Sequence, residues 1–327
     1  MLMTWTGALV KLNLEANMKI EKVVLIGAGA VGAYFIWGLT DKLKENFTII
    51  ANGMRRERLL ADGVIINDKT YFPKVSEAKE AGKVDLVLVA CKQDALFEVV
   101  EDIKLLTGPN TMVISLLNGV TSEDIIGKTI GYEHMLYSVM RIASQRVDNK
   151  IVFDPQATLG VFVGEKDIYS PTDRIKAVEA LFDNTGIRFN YVEDIIKELW
   201  LKYAANVSQN LPQAILSVGF GAYIDSDHVR TIAKELWKEV AAVARAKGIE
   251  IGDEFRQFAG SNMKARFSTL QDLDAGRHTE IEIFAGDMMR MGKNLGISVP
   301  YCEYTYHLIK ALEEKNDGKF NYETGKN

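Results

Sequence analysis

Apolar residues are distributed along this chain in two ways. Up to about residue 191 they come in short continuous runs; beyond it they recur at helical spacing and no strand-like run remains. Residues 84–90 and 112–117 are predominantly apolar runs, interrupted by Asp85 and Ser115 alone, of the kind buried on both faces in a parallel sheet. Residues 23–26 and 47–51 read as two further strands, with a helix expected between them over 30–44. Segments 135–140, 151–153, 157–163 and 187–191 continue the β content and are expected to include an antiparallel extension of the sheet. The later pattern predicts helices over 193–209, 226–247, 255–267, 279–295 and 300–315.

The first run feeds directly into Gly27-Ala28-Gly29-Ala30-Val31-Gly32 and then into a helix-compatible stretch. The three glycines serve different physical ends. Gly27 permits the tight turn, Gly29 lets the backbone approach a pyrophosphate closely, and Gly32 lets the new helix pack on the sheet. The free amides and positive dipole end of that helix then face the phosphates. The pattern therefore predicts an α/β Rossmann-type dinucleotide-binding domain over 18–191, followed by an all-helical substrate domain over 192–327. Residues 1–17 read as a disordered leader ahead of Met18. At the end of the second strand, Ala51-Asn52-Gly53 lacks the carboxylate that would accept ribose hydroxyls, and Arg55, Arg56 and Arg58 follow. Guanidinium groups there suit a 2′-phosphate, so NADP(H) is expected rather than NAD.

Composition removes several alternatives. With 327 residues, 47% hydrophobic and 25% charged, and a formal net charge of −5, the chain has no basic stripe, and nucleic acid is not an expected partner. Cys91 and Cys302 and the scattered His134, His228, His278 and His307 form no metal-ligand spacing, so no metal is expected. No apolar run approaches the roughly 20 residues of a membrane span, and a reducing cytoplasm is the expected compartment.

Lys202, Asn206 and Asn210 recur every four residues, which stacks them on one face of a helix. One cation and two amides suit a polar, partly dry cleft in which the lysine donates a proton and the amides hold oxygens; a solvated face is the alternative. Lys92 and Asn118 stand at two neighbouring strand ends, where either a cofactor contact or an ordinary loop residue fits. Ser268 offers an N-cap, and Thr279-Glu280-Ile281-Glu282 has the composition of a helix start.

Taken together, these motifs resemble the ketopantoate reductases (2-dehydropantoate 2-reductases), which supply pantoate for pantothenate and coenzyme A. The likeness rests on GAGAVG, Ala90-Cys91-Lys92, Asn118-Gly119, Trp200-x-Lys202-x-x-x-Asn206-x-x-x-Asn210, Ser268-x-x-Gln271-Asp272, Arg277-His278-Thr279-Glu280-Ile281 and Gly296-Ile297-Ser298-Val299-Pro300. It implies hydride transfer from NADPH to the keto carbon of a small 2-oxo acid, with Lys202 protonating the oxygen. It further implies that Glu280 orients the lysine and lies near the nicotinamide ribose, and that Asn206, Asn210 and Ser268 bind substrate. Lys92, Asn118 and Ala143 would contact the cofactor, and the protein would be a homodimer. Where the family usually carries an arginine at the end of the second strand, this chain has Asn52, which leaves Arg55 or Arg56 to take that part. Two other functions fit the same residues: reduction of a different small 2-oxo acid, and non-catalytic NADP(H) sensing. The intact set of Lys202, Asn206, Asn210, Ser268 and Glu280 argues against the second, since a sensor has no need of all five.

Overall fold

Strands β1 (Val23–Ile26) and β2 (Phe47–Ile50) are buried at every position, as unbroken apolar runs require when helices cover both faces of a sheet. Helix α1 (Ala30–Leu43) joins them and they pair in parallel. The computed structural model that defines these elements describes residues 18–142, 144–147, 149–256, 262–320 and 322. The expected leader, 1–17, and Ala143 lie outside the described residues.

Helix α2 (Gly53–Asp62) leads to the hairpin of β3 (Val64–Ile66) and β4 (Lys69–Tyr71), then to β5 (Lys74–Ser76), α3 (Ala78–Ala81) and β6 (Val84–Val89). Helix α4 (Gln93–Leu106), β7 (Thr107–Ser115), α5 (Ser122–Ile130) and β8 (Met135–Arg141) follow. The strand-rich part ends with β9 (Ser144–Val147), β10 (Lys150–Phe153), β11 (Gly160–Gly164), α6 (Asp173–Phe182) and β12 (Phe189–Tyr191). The main sheet has eight strands in the order β12-β11-β8-β7-β6-β1-β2-β5. The order reverses at β1, so the carboxyl ends of β1 and β6 flank the crevice where such sheets take ligands.

The expected antiparallel extension is the β8–β11 pair. Residues 151–153 do not belong to it. They form β10 of a separate four-stranded sheet, β4-β3-β10-β9. Its alternating burial fixes the face it turns to the core: Ile151 and Phe153 point inward while Lys150 and Val152 face out. Phe153 packs edge-on against Tyr34 and Trp37 of α1, at 5.5 and 5.6 Å between ring centroids.

The helical part contains α7 (Ile195–Ala205), α8 (Leu211–Leu216), α9 (Ala222–Asp225), α10 (Asp227–Ala246), α11 (Ser268–Asp274), α12 (Asp287–Leu295) and α13 (Pro300–Asn316). Two single π turns interrupt it, Asn206–Asn210 between α7 and α8 and Glu282–Gly286 ahead of α12. A π turn frees carbonyls from the usual ladder. Here those of Ile283 and Phe284 accept the buried hydroxyl of Tyr203 at 3.1 and 2.6 Å. On α10 the buried Glu239 accepts the Tyr301 and Cys302 amides (2.7 and 2.8 Å), which caps α13 just behind Pro300.

The helix expected over 255–267 is not formed by the described residues of that segment, 255–256 and 262–267. The chain instead lies along α8 and α9. Gln213, fully buried, donates to the Ala265 carbonyl at 3.0 Å and accepts the Phe267 amide at 2.6 Å. The Met263 and Ala265 carbonyls accept the Gly221 and Phe220 amides. Side-chain partners and backbone groups distant in sequence thus replace the helical ladder.

Candidate active site

The glycine loop lies at the carboxyl end of β1, where Gly27 adopts φ +104°. A Cβ on Gly27 would lie 2.5 Å from the Ala90 carbonyl oxygen, and one on Gly32 would lie 2.0 Å from that of Gly27. Gly29, by contrast, has nothing within 4 Å of its absent Cβ. No side chain caps α1, so the amides in the turn of Gly29, Ala30 and Val31 are left for a ligand, while Ala28 and Val31 pack against the core beneath. This open-sided, uncapped helix start fits a pyrophosphate.

Next to it, Asn52 stands exposed at the N-cap of α2 without a capping bond. The two candidate arginines separate clearly. Arg56 is held by Glu77 (3.4 Å) and Glu80 (3.1 Å), whereas Arg55 is exposed and makes no ion pair or hydrogen bond with a described residue. Arg55 is near enough to Cys91 for its charge to act on the thiol, although burial dominates there and pushes that thiol up to about 11. Lys92, at the N-cap of α4, is exposed and its charge reaches Glu280.

Lys202, Asn118 and Glu280 come together from three elements. The Lys202 ammonium donates to Asn118 Oδ1 at 2.9 Å and to the Met140 carbonyl at 2.8 Å; Asn118 Nδ2 donates to Glu280 Oε2 at 2.7 Å. One amide thus bridges a cation and a carboxylate. Asn118 can occupy this position because the next residue is glycine: Gly119 has φ +95°, and a Cβ there would meet Ile283 Cγ2 at 2.4 Å. Burial lowers Lys202 to about 8, with Glu280 and Glu123 opposing the fall and Arg141 adding to it. Burial raises Glu280, against the pull of its Asn118 hydrogen bond and of Lys202. An ammonium in this range is charged at neutral pH and gives up its proton readily.

The asparagines do not share one environment. Asn206 is half-buried and its side chain makes no hydrogen bond with a described residue. Asn210 is buried, donating to Ser268 Oγ at 3.1 Å and accepting the Thr269 amide at 3.1 Å, so it fastens the start of α11. The π turn causes this difference, because it displaces residues 206–210 from the four-residue stacking that an unbroken α-helix would give. Ser268 is the first residue of α11 rather than its N-cap, which is Phe267, and it is exposed.

Sequence reasoning missed two charged groups beside Lys202. Glu123 is buried on α5, receives the Ser122 hydroxyl at 2.9 Å, and is pushed up to about 7 by burial. Arg141 ends β8 and pairs with Glu198. Glu198 precedes Lys202 by four residues and was a visible signal for a charged partner; the strand that supplies the partner was not. A groove of about 630 Å³, bordered by Glu165, Lys197 and Lys247, includes none of Lys202, Asn118 and Glu280. Among the described residues no group of acids, histidines and cysteines could hold a metal, and no helix is long and apolar enough to cross a membrane.

Comparison with known proteins adds to this geometry. The family profile described as ketopantoate reductase PanE/ApbA matches residues 23–162, and that of its C-terminal part matches residues 194–313. A 2-dehydropantoate 2-reductase of Streptococcus pyogenes is 26% identical over 302 residues, covering 89% of this chain and 97% of its own. The crystal structure of a PanE/ApbA family ketopantoate reductase from Ralstonia eutropha superposes with a TM-score of 0.76 at 25% identity, covering 90% of this chain and 99% of that one. D-mandelate dehydrogenase, solved with NADH and anilino(oxo)acetate, shares the fold at a TM-score of 0.75 and 22% identity, with 90% and 99% covered.

Proposed function

Since the chain belongs to the ketopantoate reductase family of oxidoreductases, we propose that it reduces 2-dehydropantoate to (R)-pantoate with NADPH, using Lys202 as the proton donor. The observation that carries this reading is the Lys202–Asn118–Glu280 network, a partly dry ammonium linked through an amide to a carboxylate. In the same proposal residues 18–191 bind the cofactor, residues 192–327 supply the substrate side, and the cleft between them holds the 2-oxo acid. The bound NADPH supplies a hydride to the keto carbon.

The chain's own residues do the rest. Gly27, Ala28, Gly29, Ala30, Val31 and Gly32 receive the pyrophosphate on backbone amides. Arg55, which forms no ion pair with a described residue, takes the 2′-phosphate in place of an arginine at Asn52, while Lys92 and Asn118 bind nearer the nicotinamide. Lys202 donates a hydrogen bond to the keto oxygen and passes its proton as negative charge develops there. Glu280 keeps the ammonium charged and aimed through Asn118. The Asn206 amide, unpaired among the described residues, and the exposed Ser268 hydroxyl hold the substrate's oxygens; Asn210 acts by anchoring Ser268. Self-association as a homodimer belongs to this proposal and follows from the family resemblance alone.

The test is loss of nicotinamide absorbance with ketopantoate and with an aromatic 2-oxo acid, using NADPH and NADH in parallel. Ketopantoate with NADPH should give the highest kcat/KM, and Arg55→Ala should raise the KM for NADPH while leaving that for NADH unchanged. Preference for the aromatic acid would overturn the substrate assignment. Nucleotide binding without turnover of either acid would point first to another small 2-oxo acid and then to a sensor.

A further inference from the structure

A second cation stands beside Lys202 without taking part in the network that holds it. Arg141 is the last residue of β8, and the carbonyl of the residue before it, Met140, accepts the Lys202 ammonium at 2.8 Å. The Arg141 Nη2 donates to Glu198 Oε1, one helical turn before Lys202 on α7. Its guanidinium lies 5.2 Å from the centre of the Phe162 ring, and its Nε is buried with no hydrogen-bond partner among the described residues. Both side chains of the ion pair are only about a quarter exposed, at 26% and 25%.

Placing a guanidinium next to a half-buried ammonium costs free energy, because like charges repel strongly where water screens them little. Glu198 and the Phe162 face hold the arginine in place despite that cost. We propose that Arg141, fixed by Glu198 and Phe162, is a positioning residue whose charge makes the Lys202 ammonium a readier proton donor. The inference rests on the reading of Lys202 as the proton donor.

The charges around Lys202 give the direction. Burial lowers Lys202 to about 8; Arg141 adds to the fall, and Glu280 and Glu123 oppose it. Lys92 acts on Glu280 rather than on the lysine. Reduction needs the protonated lysine, so its rate falls as pH rises through the lysine's pKa. Removing the Arg141 charge raises that pKa and moves the alkaline fall to higher pH. It also slows the rate below the fall, because a weaker acid donates less readily. Removing Glu198 leaves Arg141 uncompensated and moves the fall to lower pH. A purely structural salt bridge would give both variants the same effect.

The experiment follows trace acetylation of Lys202 by mass spectrometry against pH, in the cofactor-free full chain of the wild type, R141Q, R141K and E198Q. The pH dependence of kcat/KM for ketopantoate is measured beside it. The midpoint should rise in R141Q by about one pH unit, the size of effect a single charge has across a few ångströms of protein. It should stay put in R141K and fall in E198Q. E123Q is the control for Glu123, whose carboxyl burial pushes up to about 7 and whose charge opposes the fall of Lys202. An unmoved midpoint in folded R141Q, or shifts of R141Q and E198Q in the same direction, would overturn the proposal. If R141Q does not fold, E198Q decides: an unmoved or raised midpoint overturns it. Shifted acetylation midpoints together with normal turnover in K202A would instead reject Lys202 as donor and leave its coupling to Arg141 standing.

Discussion

Replacing Lys202 by alanine should lower turnover of the 2-oxo acid by about 10²–10⁴-fold, the usual contribution of a general acid, while NADPH affinity changes little. The ammonium is the only group in the Lys202–Asn118–Glu280 network that is both charged and able to release a proton near neutral pH. Its loss removes the hydrogen bond to the developing alkoxide and the proton that follows it. Lys202→Arg should rescue little, because a guanidinium stays protonated throughout the working range and is fitted to a different geometry. The variant leaves Asn118 bonded to Glu280 and does not touch the glycine loop, so nucleotide binding followed by fluorescence should be near normal. Single-turnover mixing separates the two effects. Turnover within about threefold of the wild type would remove Lys202 from the chemistry.

The glycine loop yields a prediction of comparable size. Gly32→Ala should abolish measurable NADPH binding and lower stability by about 3 kcal/mol, the upper end of ordinary overpacking costs. The new Cβ would lie 2.0 Å from the Gly27 carbonyl oxygen. That carbonyl cannot retreat easily, because Gly27 is itself pressed against Ala90 and Cys91 on β6's exit. Helix α1 must therefore shift, and its first amides leave the phosphate position. Gly29→Ala is the informative contrast. Its Cβ meets nothing within 4 Å and its φ is −87°, which any residue adopts, so the chain should melt like the wild type. The methyl group would instead occupy the open side of the cradle. NADPH affinity should fall about tenfold or more, the equivalent of at least one lost charge-assisted hydrogen bond. Calorimetric melting and binding titrations of both variants check the pair. Unchanged nucleotide affinity in either would remove the loop from cofactor binding.

The features that were legible in the sequence are those written locally. An apolar run that enters GAGAVG dictates strand, turn and helix within a dozen residues, and β1, the loop and α1 follow it. The approach of Glu280 to Lys202 was implied only by the family resemblance, and the bridging by Asn118 was implied by nothing in the sequence, since nothing local says that the end of β7 abuts the π turn before α12. Other features depend on what a segment packs against. Alternation in residues 150–153 fixes which face is buried but not which sheet receives the strand, and α1 offered the aromatic surface that took it. The apolar spacing of residues 255–267 suggested a helix, although Gly260, Ser261 and Asn262 interrupt it with weak helix formers. Buried Gln213 then supplied the competing backbone partners. The π turn at 206–210 has no periodic signature, and it is what divides Asn206 from Asn210. Arg141 escaped notice because a charged residue at a strand end reads as an ordinary edge.

Hydride delivery to a 2-oxo acid is decided by isotope transfer. The protein is incubated with ketopantoate and NADPH carrying deuterium at the transferable C4 position, and the product is analysed by mass spectrometry and proton NMR. Pantoate should carry one deuterium at C2, formed in step with NADPH loss. Pantoate without the label, or labelled NADPH left unconsumed by ketopantoate and by every other small 2-oxo acid offered, would contradict hydride delivery.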